Sequence, residues 1–355
     1  MRSSRPDSCE PIYIVSPGAS TPVGRDAWSS AAAVRAGISG FAQHPYMIDA
    51  AGHPMQVAIA PWLDIDLQGS ERFEALLLPA IEQALESAVA ERADVRMALA
   101  LAVPPDRPGL PDDLHDRLRD SISRRFGDRF PAIGLFDVGH AAGLMALSAA
   151  MRKMVDGDFD ACVVAGVESY IGPETLEWLE ETEQLHGAGA LNNAWGFVPG
   201  EGAGAVLLAV ERVVERVVAD PPAEVLSVGL GFEQNRIRTP TVCVGEGLTA
   251  AFREGLGGLP AGAKITDVYC DMNGEPYRAD EYGFACLRTK DRFVSASDFV
   301  APADCWGDVS AASAPLGLVL SAVASAKGYA GGPYAFLWAS SDSGERGAAL
   351  LALRA

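Results

Sequence analysis

Several things this sequence lacks narrow its function before any motif is considered. Nowhere does it reach the roughly 18 uninterrupted apolar residues that a membrane span needs. The longest candidate, 311–326, holds Pro315 among many small residues and reads as a buried helix. Basic side chains are scarce. Against 47 acids stand 28 lysines and arginines, a net charge of −19 with no basic run. Nucleic acid and anionic membrane are thereby excluded as partners, because both would repel the chain. The six cysteines (Cys9, Cys162, Cys243, Cys270, Cys286, Cys305) include no C-x-x-C pair, so neither a zinc site nor a disulfide framework follows. Reduced thiols and a cytoplasmic location are the expectation. The opening residues, Met1 to Asp7, are polar and lack the apolar core of a secretory signal. No pair of histidines has metal-ligand spacing, and no metal or cofactor is expected.

What is present is a large apolar core. At 355 residues and 49% hydrophobic, the chain is long enough to bury about three quarters of its unfolded surface. Apolar strands are expected at 12–15 (ended by Ser16-Pro17-Gly18), 97–103, 132–136, 161–166 and 205–210. A second series follows at 223–230, 267–270, 334–339 and 347–353. Between them fall helices at 27–36 (capped by Asp26 and stopped at Gly37), 71–92, 112–126, 248–255 and 309–327. Residues 41–69, rich in proline and glycine, read as irregular surface. Strands alternating with helices in two successive series define an α/β layered fold with its seam near 213–224. The predicted units are 1–215 and 222–355, and no sequence repeat relates them.

The organising stretch is Phe136-Asp137-Val138-Gly139-His140-Ala141-Ala142-Gly143. A strand, a tight small-residue bend and an apolar helix present one side chain, His140, at a helix N-terminus, a geometry suited to a nucleophile or an anion site. The helix dipole is expected to push the His140 pKa down and leave a neutral imidazole.

With these elements in order, the chain resembles a β-ketoacyl synthase of the thiolase superfamily along nearly its whole length. The segments that carry the likeness are the opening strand with Thr21-Pro22-Val23-Gly24, the segment Trp28 to Phe41, and the blocks Gly157-Asp158-Phe159-Asp160 and Gly166-Val167-Glu168-Ser169. The most specific is Gly196-Phe197-Val198-Pro199-Gly200-Glu201-Gly202-Ala203-Gly204. The resemblance implies a five-layered αβαβα fold of two similar halves, usually a homodimer or heterodimer. It also places the family's Cys-His-His triad on His140, Asn273 and Asp308, all three substituted. The family's C-terminal glycine-rich loop is eroded to Ser340-Ser341-Asp342-Ser343-Gly344.

Condensation needs a thiolate to carry the acyl group, which imidazole does not replace stably. Decarboxylating a malonyl unit needs donors for the enolate oxygen, and an ionised Asp308 would repel that charge. Two functions remain. In one the chain is a pseudo-ketosynthase, a binding or assembly partner. That partner either resembles the chain-length factors that pair with active synthases, or the thiolase-like proteins found beside type VI secretion effectors. In the other it is a divergent acyltransferase or thioesterase acting on acyl-CoA or acyl-carrier-protein thioesters, with His140 as general base beside Asp308. Elsewhere Glu201 is expected to bond backbone groups between the glycines. Asp271 and Glu275 are expected to be solvated loop carboxylates, and His186 a surface residue. His44, His53 and His115 stand isolated, and Trp178, Trp195, Trp306 and Trp338 are expected in core or interface.

Overall fold

A computed structural model describes residues 10–87, 89–90, 94–189, 192–215 and 220–354. Cys9, the tail of the helix expected to reach 92, and part of the seam (216–219) lie outside the described residues. The strands are β1 Ile12–Ser20, β2 Phe41–Ile48, β3 Pro54–Ala58, β4 Met97–Ala102, β5 Ile133–Phe136, β6 Ala161–Ser169, β7 Glu201–Val210, β8 Ala223–Phe232, β9 Asp267–Cys270, β10 Tyr334–Ser340 and β11 Glu345–Leu353. The helices are α1 Ala27–Arg35, α2 Gly69–Leu85, α3 Leu114–Phe126, α4 Ala142–Val155, α5 Pro173–Glu181, α6 Glu211–Val214, α7 Glu246–Gly255, α8 Pro276–Thr289, α9 Ala303–Trp306 and α10 Ser313–Ala326.

Hydrogen bonding runs through nine strands in the order β5-β4-β6-β7-β1-β8-β11-β10-β9. The two series of strands join only where Ile12–Ile14 of β1 pairs with Val225–Ala223 of β8. On each side of that join the scheme repeats. β1–β7 and β7–β6 are antiparallel, β6–β4 and β4–β5 parallel. Correspondingly, β8–β11 and β11–β10 are antiparallel and β10–β9 parallel, with parallel bridges from Ile265 to Phe293 and Tyr269 to Val300 where a fifth strand would lie. The two halves therefore share a topology that their sequences do not display.

Five layers result. α2 covers the outer face of β1, β6 and β7, with α3 against it. α4 and α10 lie between the sheets and touch strands of both series, and α7 covers β8 and β11 with α8 packed on it. Position explains composition here. α10 is buried from Ala314 to Ser325, so it is apolar or small on every side, as a helix enclosed on all faces must be. β4, β6 and β7 are buried throughout and read as continuous apolar runs, since both of their faces are covered. Among the described residues no helix is long and apolar enough to cross a membrane.

Several expectations are corrected. β1 does not stop at Ser16; the register shifts between Ile14 and Ser16, and pairing with β7 continues through Pro17 to Ser20. The stretch expected to be irregular contains the β2–β3 hairpin, whose outward-facing residues give no apolar signal. The strand expected at 205–210 begins earlier, at Glu201, so Gly202 and Gly204 lie within β7. There a Cβ at Gly204 would stand 2.7 Å from the Leu316 backbone nitrogen, so glycine admits α10 against the sheet. α2 ends at Leu85, and Trp195, expected in core or interface, is 70% exposed and so lies outside this chain's core.

Candidate functional site

β5 ends at Phe136 and the chain reverses through Gly139, whose φ of +81° a side chain would strain. That bend places His140 immediately before α4, with only 6% of its surface exposed. Asp308 lies between α9 and α10. Its backbone is fixed by Asp308 N–H donating to the Val198 carbonyl at 2.8 Å and Gly200 N–H donating to the Asp308 carbonyl at 2.9 Å. Asn273 follows β9. The structure thus brings all three residues together: His140 Nε2 lies 3.0 and 2.9 Å from the Asp308 oxygens, and Asn273 Nδ2 donates to Asp308 Oδ2 at 2.6 Å.

A fourth member was not foreseen. Arg278, in the first turn of α8, is fully buried. It donates to Asp271 at 2.7 Å, to Glu275 at 3.2 Å and to the Ser340 carbonyl at 2.7 Å, and its Nη2 lies 3.4 and 3.3 Å from the two ring nitrogens of His140. Asp342 completes the ring, 3.5 Å from Arg278 and accepting from Tyr277 Oη at 3.0 Å. Asp271 and Glu275 are therefore buried partners of Arg278, not the solvated carboxylates expected.

The electrostatics also depart from expectation. Burial and the Arg278 guanidinium push the His140 pKa down, but the charge and hydrogen bond of Asp308, with the charge of Asp271, outweigh them. The net shift is upward, not downward. Burial pushes Asp308 up, yet His140, Arg278 and Asn273 hold its carboxyl well below the usual carboxylate range. Burial, aided by Asp342 and Asp308, raises Glu275 against the pull of Arg278 and Asn273. The shift favours the imidazolium form of His140 beside the Asp308 carboxylate, the reverse of the neutral ring expected from the helix dipole alone.

Two further features bear on acyl chemistry. The first is at the N-terminus of α4, where Ala141 N–H, a donor an oxyanion would need, is taken by Ser341 Oγ at 2.9 Å. The eroded loop thus caps the bend. The second is a buried ion pair behind Asp308, Arg107 to Glu168 at 2.6 Å, with the guanidinium 4.4 Å over the Tyr170 ring. The cavity beside Asp308, lined also by Cys270, Asp271 and Trp306, is about 10 Å³, room for one water.

Glu201 is structural, as expected, but through a different partner. It is buried and bound bidentately by Arg72 at 2.6 and 2.7 Å, and it also accepts from Ala60 N–H and Ser169 Oγ. His186 is half-buried. Glu233, Cys243 and Glu281 converge closely enough to hold a metal, but their groups are committed elsewhere. Glu281 is bound by Arg346 and Ser340, Glu233 accepts from Asn235 N–H and Gly247 N–H, and burial pushes the Cys243 thiol up to about 11.

The layered fold is that of the thiolase-like β-ketoacyl synthases. Residues 123–212 match the family described as beta-ketoacyl synthase, N-terminal domain. A chain of the complex described as a type II PKS acyl-carrier protein with its ketosynthase bound to the hexaketide superposes with a TM-score of 0.81 at 15% identity, covering 98% of this chain and 100% of that one. The ishigamide ketosynthase/chain length factor gives 0.69 at 23% identity over 97% and 100%. The ketosynthase from module 6 of the bacillaene synthase of Bacillus subtilis 168 gives 0.76 at 14% identity over 98% and 72%. No curated protein matches by sequence.

Proposed function

We propose that this chain is a non-condensing ketosynthase-fold subunit that acts by pairing with a thiolase-fold partner, as a chain-length factor does, and not by catalysis. One observation carries this reading: His140, Asn273 and Asp308, which the resemblance places at the family's Cys-His-His positions, are tied together, with His140 Nε2 and Asn273 Nδ2 both on the Asp308 carboxylate and the Arg278 guanidinium packed against the imidazole. A general base must keep a lone pair for its substrate, and here Nε2 of His140 is committed to Asp308 while Nδ1 faces the Arg278 guanidinium. Likeness to the ishigamide ketosynthase/chain length factor supports the pairing. So does the outer edge of β5, whose only strand neighbour among the described residues is β4 and whose Ile133, Leu135 and Phe136 are half-buried. An edge of this kind invites strand addition from a second thiolase-fold chain.

The test is incubation of the purified protein with acyl-CoA and acyl-carrier-protein thioesters, read by intact mass and by thiol release. Unchanged thioesters and an unmodified chain are expected, together with a stable complex when a synthase encoded nearby is co-expressed. Turnover abolished by His140→Ala would establish the acyltransferase or thioesterase reading instead. Co-purification with a secretion effector and no synthase would place the chain beside the type VI assembly partners.

A further inference from the structure

Away from the charged ring, the β2–β3 hairpin, the start of α2 and the start of α5 enclose a cavity of about 330 Å³, within the range that holds small molecules. Its walls are mainly apolar, with Met47, Ile65, Phe73 and Ile171 among them. Its lining shares no residue with that of the small cavity beside Asp308, so it is a separate compartment.

Three donor-bearing segments contribute to its lining. His44 is 94% buried by its 6% exposure, and its Nδ1 accepts from Tyr46 N–H at 3.2 Å and Met47 N–H at 3.0 Å. In the neutral ring those two bonds fix the proton on Nε2, which has no hydrogen-bond partner among the described residues and belongs to a side chain lining the cavity. Burial, with the nearby Arg72 charge, lowers the His44 pKa and keeps the ring neutral. The other donors are the N-termini of α2 and α5, whose cap residues Gln68 and Gly172 line the cavity and make no side-chain capping bond. Arg72, also on the wall, is already bound by Glu201 and two carbonyls, and Glu174 at the exposed rim is the acid that opposes an anion. A hydrogen-bond acceptor on an apolar body satisfies this lining; a polar or cationic molecule does not.

We propose that this cavity is a non-catalytic binding site for a medium-chain carboxylic acid, its carboxylate accepting from His44 Nε2–H and the helix-terminal amides, its chain among Met47, Ile65, Phe73 and Ile171. The site does not depend on how the His140 ring is read. Calorimetric titration of the full chain with octanoate should show saturable one-to-one binding, with octan-1-ol at least tenfold weaker because it lacks the second acceptor oxygen. His44→Asn keeps an acceptor for the Tyr46 and Met47 amides while removing the Nε2 donor, and should weaken octanoate at least tenfold. Ile65→Trp, which fills the chain pocket, should abolish binding while its melting temperature without ligand stays within a few degrees of the parent. Absence of saturable binding at millimolar octanoate, or affinity unchanged in both variants, would overturn the proposal.

Discussion

Nε2 of His140 meets both carboxylate oxygens of Asp308, at 2.9 and 3.0 Å, across 168 residues of sequence. With Asp308 buried and charged, this pair supports the fold as well as occupying the site. His140→Ala is expected to destabilise the protein by about 3 kcal/mol, since it strands an ionised carboxylate without its nearest cation. His140→Ala combined with Asp308→Ala should cost clearly less than the sum of the two singles. Urea denaturation of the four proteins measures this coupling. A His140→Ala variant as stable as the parent would mean that the imidazole is not paired.

The pH dependence has a definite sign. The folded pKa of His140 lies above its unfolded value of about 6.5, so its contribution is complete below that pH and is lost as pH rises through the folded pKa. Asp308 is depressed, so its contribution is present above about 3.9 and is lost only as pH falls toward its much lower folded value. Burial lowers His44, which therefore contributes in the opposite sense, and the comparison must be a difference. The stability gap between the parent and His140→Gln should be widest near pH 5 and narrow steadily toward pH 9. A gap that widens toward alkaline pH would contradict the upward shift.

How much of this was legible in the sequence follows from where each residue is buried. β4, β6, β7 and α10 announce themselves because they are covered on all sides and so are written in apolar and small residues. The helix α8 was missed for the opposite reason. Its pattern is inverted, with Arg278 and Glu281 fully buried while Phe284 and Leu287 are 37% and 69% exposed. A periodicity argument cannot see that, because the charges are buried against partners distant in sequence, Arg346 and the Ser340 carbonyl among them. The same distance explains the His140 error. The helix N-terminus is visible locally and argues for a lowered pKa, whereas Asp308, which reverses it, lies four strands and several helices away. The recognition of His140, Asn273 and Asp308 as one cluster came from family resemblance, not from spacing.

Arg278 should be the least replaceable side chain of the ring. Arg278→Met removes the cation from Asp271 and Glu275 at once and leaves buried carboxylates facing one another. A loss on the order of 3–5 kcal/mol is expected, enough to lower soluble yield sharply. Adding Asp271→Asn and Glu275→Gln to that variant should restore part of the loss by removing the stranded charges. Urea midpoints and soluble yield of the two variants check this. If Arg278→Met alone were within 1 kcal/mol of the parent, water must reach these carboxylates.

The edge of β5 offers a test of pairing that leaves the ring untouched. Carbonyls of Ala132 and Phe136 accept from Leu99 and Val103 N–H on β4, so alternate residues 132, 134 and 136 turn their backbone groups inward. Ile133 and Leu135 therefore turn theirs outward, to the edge that has no strand neighbour among the described residues. Leu135→Pro deletes an outward N–H without taking a donor from the β4 ladder, which proline tolerates at an edge. If a second thiolase-fold chain adds along this edge, light scattering should show the parent as a dimer, alone or with its partner, and Leu135→Pro as a monomer with an unchanged far-ultraviolet spectrum. A Leu135→Pro chain that still pairs would move the interface elsewhere on the molecule and remove the β5 edge from the functional argument.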